Sequence, residues 1–187
     1  YDALRSLQQT ADGGFVLGGY SASIADGNKT SPNFGNDDFW VIRLDADGNK
    51  LWERTYGGSA SDALMSLSRT ADGGFILAGP SYSPASGTKT SPHYGEPWQT
   101  DYWVVRIDAD GNQLWDKSYG GQYTDSASAV LQTADGGFLV GGLSFSGSDY
   151  TKTSQQLGEG DFWLLRLDAN GNHVWDRSFG GSSWEDM

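Results

Sequence analysis

Short apolar runs rich in Val, Ile, Leu, Phe and Trp recur along the chain, set apart by clusters of Asp, Asn, Ser and Gly. Alternation of apolar and polar positions within a run is the mark of a half-buried strand. The most regular stretch runs from Asp38 to Gly58 as DFWVIRLDADGNKLWERTYGG. It returns from Asp101 to Gly121 as DYWVVRIDADGNQLWDKSYGG, and from Asp161 to Gly181 as DFWLLRLDANGNHVWDRSFGG. Two apolar arms around Asp, Gly and Asn predict a β-hairpin. A second motif, Thr-Ala-Asp-Gly-Gly-Phe, begins at Thr10, Thr70 and Thr133, 60 and 63 residues apart. Periods of this size indicate stacked supersecondary units. No window combines helical periodicity with caps, so the expected class is all-β.

Each unit reads as four antiparallel strands. Strand A spans residues 2–9, 62–69 and 125–132. Strand B spans 15–20, 75–79 and 138–143. Strands C and D are the hairpin arms, 38–44 and 50–55 in the first copy. Four strands in about 60 residues suggest a β-propeller blade rather than a sandwich. The expected organisation is a single propeller segment over 1–187. Its blades cover 1–58, 59–121 and 122–181, and a further repeat starts at 182–187. Closed propellers take about 4–8 blades, and three leave two unprotected ends. The segment is therefore expected to belong to a longer array, or to self-associate so that two chains close a six-bladed ring.

The run LDADGNKLW is similar to the strand C–turn–strand D signature of quinoprotein-type propeller blades. The whole unit resembles the propeller-like repeats of secreted Bacteroidetes surface proteins, which are often exported by the type IX system. Those repeats share the order TADGGF, a GxKTS-like loop, then DYWxxKLDxxGNxxWxxxxGG. The matching loop residues here are Lys29-Thr30-Ser31, Lys89-Thr90-Ser91 and Lys152-Thr153-Ser154. The resemblance spans essentially the whole chain. It implies a propeller scaffold and a secreted or cell-surface location, and it carries no activity. Arg43, Arg106 and Arg166 stand where the pattern has Lys, and no C-terminal sorting region is recognisable.

Composition narrows the partners. Twelve Lys and Arg against 24 Asp and Glu give a net charge of -12, which repels nucleic acid and anionic lipid. There is no cysteine, hence no disulfide framework and no thiol nucleophile. No stretch approaches the ~18 apolar residues of a membrane helix. The 27 glycines sit at repeated positions and read as turn residues. Eight Trp, nine Tyr and eight Phe supply the core.

Function is expected on the face that carries the long B–C loops. The copies differ in length there alone, within Glu96-Pro97-Trp98-Gln99-Thr100, and variable loops on a constant frame are where binding is tuned. Phe34, His93, Tyr94 and Trp98 form a candidate rim, with loop packing as the alternative role. Lys29, Lys89 and Lys152 could form a ring of ammonium groups for an acidic ligand. The alternative is a turn held by Thr and Ser with the Lys solvated.

Asp45, Asp47 and Asn49 resemble half of a calcium loop, but a hairpin turn explains them without metal, and no cofactor is expected. Mid-strand Arg43, Arg106 and Arg166 need carboxylate partners, and Asp2, Asp62 and Asp125 are the expected ones. Trp40, Trp103, Trp163, Trp52, Trp115 and Trp175 should pack between blades. His93 and His173 are the sole histidines, and no nucleophile elbow or phosphate loop is present. The expected function is non-catalytic binding or display of a surface glycan, other polymer or protein ligand. A structural spacer in a large adhesin is the first alternative, and a glycoside-active enzyme the second.

Overall fold

The computed structural model describes residues 1–182. Its strands form three four-stranded antiparallel sheets, each a simple meander. The first holds β1 (Asp2–Gln9), β2 (Phe15–Ser21), β3 (Asp38–Leu44) and β4 (Lys50–Tyr56). The second holds β5 (Ser66–Arg69), β6 (Phe75–Ser81), β7 (Asp101–Ile107) and β8 (Gln113–Tyr119). The third holds β9 (Asp125–Gln132), β10 (Phe138–Ser144), β11 (Asp161–Leu167) and β12 (His173–Phe179). No helix occurs among the described residues. The expected all-β class and the four-strand unit are both present. The expected start of a further repeat falls mostly on residues 183–187, outside the described residues.

One expected strand is cut short. The A strand of the second sheet begins at Ser66, and Asp62 keeps only an isolated bridge to Ser81. Ala63 still donates to Pro80 O, but Pro80 has no N–H to return the bond, so the ladder lapses there.

Both turn motifs are closed by their own side chains. In the first TADGG turn, Asp12 accepts from Thr10 Oγ1 (2.6 Å) and Gly14 N (3.3 Å). In the first C–D turn, Asp45 accepts from Asp47 N, Asn49 N and Asn49 Nδ2 at 2.8–2.9 Å, and Gly48 takes φ 83°. The same bonds recur at Asp108 and Asp168. Both carboxylate oxygens of Asp45, the first residue of the half calcium loop, are thus engaged within the turn.

The arginine partners differ from expectation. Arg43 grips both oxygens of Asp12 (2.5 and 2.7 Å), Arg106 grips Asp72 and Arg166 grips Asp135. Register explains why Asp2, Asp62 and Asp125 are not used. Asp38 lies opposite Ser21, and Ser21 opposite Asp2, whereas Arg43 lies opposite Val16 at the other end of the sheet. Five residues of strand put the two ends about 16 Å apart. The TADGG aspartate stands at the arginine's end.

The core lies between the sheets. One cluster joins Val16, Phe39, Val41 and Tyr56 of the first sheet to Leu64, Leu67, Leu77, Trp103 and Val105 of the second. A second repeats it one unit on, from Ile76, Tyr102, Val104 and Tyr119 to Val130, Val140, Trp163 and Leu165. At each junction an aromatic ring from strand C meets the strand C tryptophan of the next sheet: Phe39 on Trp103 at 4.7 Å and Tyr102 on Trp163 at 4.6 Å. Tyr56 donates to Gly111 O (2.6 Å) and Tyr119 to Gly171 O. Trp52 and Trp115 pack on the same two glycines, where a Cβ would collide with the indole.

Replacing Trp103 by Ala should lower the unfolding free energy by about 3–5 kcal/mol in a urea titration. Trp98→Ala, on the surface, should stay within about 0.5 kcal/mol. Equal shifts for the two would remove the junction ring as a major source of stability.

Candidate functional site

The Lys-Thr-Ser loops fold back on their own sheets. Thr90 and Ser91 donate backbone and hydroxyl groups to Asp116 of β8, and Trp103 Nε1 donates to the same carboxylate at 2.9 Å. Asp176 takes this role for Thr153, Ser154 and Trp163, and Glu53 for Thr30 and Ser31. Burial would raise the Asp116 carboxyl, but its many donors outweigh burial and hold it below the ordinary range. The same balance brings Glu53 down to about 2.

The loop lysines turn inward. Lys89 is 2 % exposed, and its Nζ donates to Ser91 O, Pro92 O and Ser118 Oγ at 2.7–3.0 Å. Lys29 and Lys152 donate likewise to Ser31 O and Ser154 O. Burial lowers Lys89 to about 8, against the pull of Asp116, Asp62 and Asp101. Both expectations for Lys29, Lys89 and Lys152 are therefore corrected: they form neither an accessible cationic ring nor a solvated fringe. The reason is the carboxylate beneath each loop, with the loop's own carbonyls close enough to satisfy an ammonium.

The four rim residues separate by role. Phe34 is half-buried; its backbone N–H donates to Asp38 (2.6 Å) and its ring abuts Gly87 of the next loop. His93 sits inward, with Nδ1 3.2 Å from Asp101 Oδ2 and Nε2 3.1 Å from Glu96 O. The Asp101 carboxylate raises the His93 pKa above its ordinary value. Tyr94 donates its N–H to Asp101 (2.7 Å), and its ring lies 5.4 Å from that of Tyr150 in the third loop. Trp98 stands out at 69 % exposure. Phe34 and Tyr94 occupy equivalent loops one repeat apart.

Sequence reasoning missed Tyr123 and Tyr150, both more than half exposed. Tyr123 lines a shallow pocket of ≈ 340 Å³ with Gln99, Thr124 and Phe145. Gln99 belongs to the inserted loop segment and accepts from Thr124 Oγ1. The insertion thus docks on the D–A crossing of the next junction, leaving Trp98 at its tip. A Tyr within an Asp-Tyr-Thr loop (Tyr150) and one in a D–A crossing (Tyr123) were visible in sequence, but nothing marked them as neighbours of Tyr94 and Gln99.

Aspartates that were expected to hold the arginines instead line the junctions. Asp62 Oδ2 accepts from Gly58 N (2.7 Å) and Ser83 Oγ (2.8 Å). Asp125 does the same with Gly121 N and Ser146 Oγ, both at 2.8 Å. The Oδ1 atoms of Asp38 and Asp101 are buried without a hydrogen-bond partner, while Ser81 and Ser144 stand beside the Asp62 and Asp125 carboxylates. A Cβ on Gly120 would lie 2.2 Å from Asp101 Oδ1 and 2.8 Å from Asp125 Oδ2, so the Gly-Gly step is a steric requirement. Burial raises Asp125 to about 7, helped by the Asp101 charge, and Asp38 to about 6, helped by Asp62. Among the described residues no group of three or more His, Asp or Glu is placed to hold a metal ion.

No protein-family model matches the chain. It is 27 % identical over 175 residues to the regulatory protein FlaEY of Caulobacter vibrioides, a match covering 91 % of this chain and 18 % of that protein. The chain therefore spans under a fifth of that relative's length.

The two carboxyl sets predict the pH profile. Asp38 and Asp125 bind protons more tightly folded than unfolded, so stability falls as pH rises from about 4 to 7. Glu53 binds them less tightly, so its contribution is lost as pH falls from about 4.5 to 2. The melting temperature should peak near pH 4–5 and decline towards pH 8, and Asp125→Asn should flatten the decline. An unchanged slope in that variant would count against a proton held at Asp125.

Proposed function

We propose that this chain is a non-catalytic scaffold of propeller-type blades that displays its loop face to a ligand, within an exported, surface-located bacterial protein. The observation that carries the reading is Trp98. It is an indole 69 % exposed at the tip of the one loop that differs in length. The loop is anchored on both sides of that tip: Tyr94 and His93 on Asp101, Gln99 on Thr124 and Thr100 on Asp125 O. A rigid base with a free aromatic at its tip is suited to ring stacking, and surface glycans offer flat faces to such platforms. Tyr123 and Tyr150 add exposed rings on the same face.

The non-catalytic part of the reading is supported by what the titratable groups already do. His93 meets Asp101, and His173 bonds Asp176 at 3.0 Å, a carboxylate already committed to the loop clamp. The likeness to a stretch inside the much longer FlaEY fits a module carried by a larger protein. Export rests on the resemblance of the repeat order to secreted surface repeats.

A glycan array tests the proposal. Reproducible hits that Trp98→Ala weakens by about tenfold or more, with the melting temperature unchanged, are expected. A blank array with native protein would favour a spacer role instead.

A further inference from the structure

We propose that the groove between the second and third sheets, edged by Tyr94 and Tyr150, binds a neutral sugar ring, with Lys117 donating to its hydroxyls. This rests on the reading that the loop face binds glycans, and it names the place on that face and the kind of sugar.

The observation that points there is Tyr150. Among the described residues it is the one non-glycine residue with positive φ, at 41°. It is the second residue of a turn closed by Lys152 N on Asp149 O (2.9 Å). The other two long loops close the same turn with Lys29 N on Asp26 O and Lys89 N on Ser86 O. There the second residue is Gly27 or Gly87, both at φ 57°. A left-handed backbone costs an L-residue energy that glycine avoids. The Tyr150 ring is 65 % exposed, so its own burial offsets little of that cost. Strained residues persist where their surroundings over-determine them, and they cluster at ligand clamps. Here the neighbour supplies the hold. Thr151 N donates to Gly120 O (3.1 Å) and Thr151 Oγ1 accepts from Gly120 N (2.7 Å), which pins the turn to the second sheet.

At the first junction the same seat is closed. A Cβ on Gly87 would meet Cβ and Cγ of Phe34 at 3.0 Å. At the second junction Tyr94 stands in the place of Phe34, and its ring lies 5.4 Å from that of Tyr150, tilted by 35°. The two phenols form a platform at the edge of a groove of ≈ 440 Å³. Tyr94 and Thr151 line that groove together with Lys117, Asn172 and His173.

The polar wall selects the ligand. Lys117 Nζ donates to Asn172 Oδ1 (2.7 Å), and an ammonium has two further N–H groups to give. The Asp116 carboxylate in the same wall is filled by Thr90, Ser91, Trp103 and Gln113, which leaves little to attract a cation. The net charge of -12 opposes an acidic polymer. An aromatic platform beside a single lysine suits an uncharged ring with an apolar C–H face and hydroxyls at its rim.

Saturation-transfer NMR on the 187-residue chain tests the proposal, with the methyl glycosides of glucose, galactose, mannose and N-acetylglucosamine as probes. Transfer to at least one of them is expected. Tyr150→Gly and Lys117→Met should each weaken its binding by about tenfold or more. Tyr150→Gly also restores the residue of the other two loops, so its melting temperature should hold or rise by about 2–4 °C. No transfer to any probe overturns the proposal, as does binding that either variant leaves unchanged. A Tyr150→Gly chain that melts lower overturns it too, because the ring would then serve to pack the loop. In each of these cases the wider glycan reading stands if array hits still depend on Trp98, and a blank array removes both.

Discussion

A four-stranded sheet of this sequence has two apolar faces and cannot shield either by itself. That constraint governs the molecule. The same strand C carries Phe39 towards the following sheet and Trp40 towards the preceding side, and the pattern returns at Tyr102–Trp103 and Phe162–Trp163. Successive side chains of a strand point to opposite faces, so each aromatic pair commits its sheet to a neighbour on both sides. Ring-on-indole contacts at 4.6–4.7 Å are the result where a neighbour exists.

The long B–C loops follow from the same geometry. Instead of projecting freely, each folds back against its own sheet and is clamped by a strand D carboxylate, Glu53, Asp116 or Asp176. The clamp draws a lysine into the protein and surrounds it with carbonyl and hydroxyl oxygens. A buried charge is tolerable only when so satisfied. The clamp also fixes where the rest of the loop emerges, which is why the inserted segment leaves Trp98 alone at the tip. The first copy departs in one respect. Glu53 replaces Asp, and Trp40 Nε1 is left without the partner that Trp103 and Trp163 find.

The recurrent strand A aspartates show how repetition can mislead. Asp2, Asp62 and Asp125 recur, and so do Arg43, Arg106 and Arg166. Recurrence alone made them look like partners. Strand register puts them at opposite ends of the sheet, and the arginines reach the turn aspartates instead. Asp12, Asp72 and Asp135 were equally visible in the sequence but were read only as turn residues. Of the candidate rim, the exposure of Trp98 was foreseeable from its place in a length-variable loop. The inward His93 and the Tyr94–Tyr150 contact were not, because they depend on how one unit's loop meets the next.

The sequence by itself determined the strands, the turns and their order. Those rest on local physics: side-chain alternation, the positive φ that glycine permits, and hydrogen bonds between residues two to four apart. Only the tertiary structure decided which carboxylate faces which cation, and which lysines are buried. It also decided which aspartates hold protons, and which rings remain open to solvent. Those outcomes depend on distances across sheets and between repeats. Three nearly identical copies leave such distances unresolved, because each copy offers the same candidates until the sheets are packed.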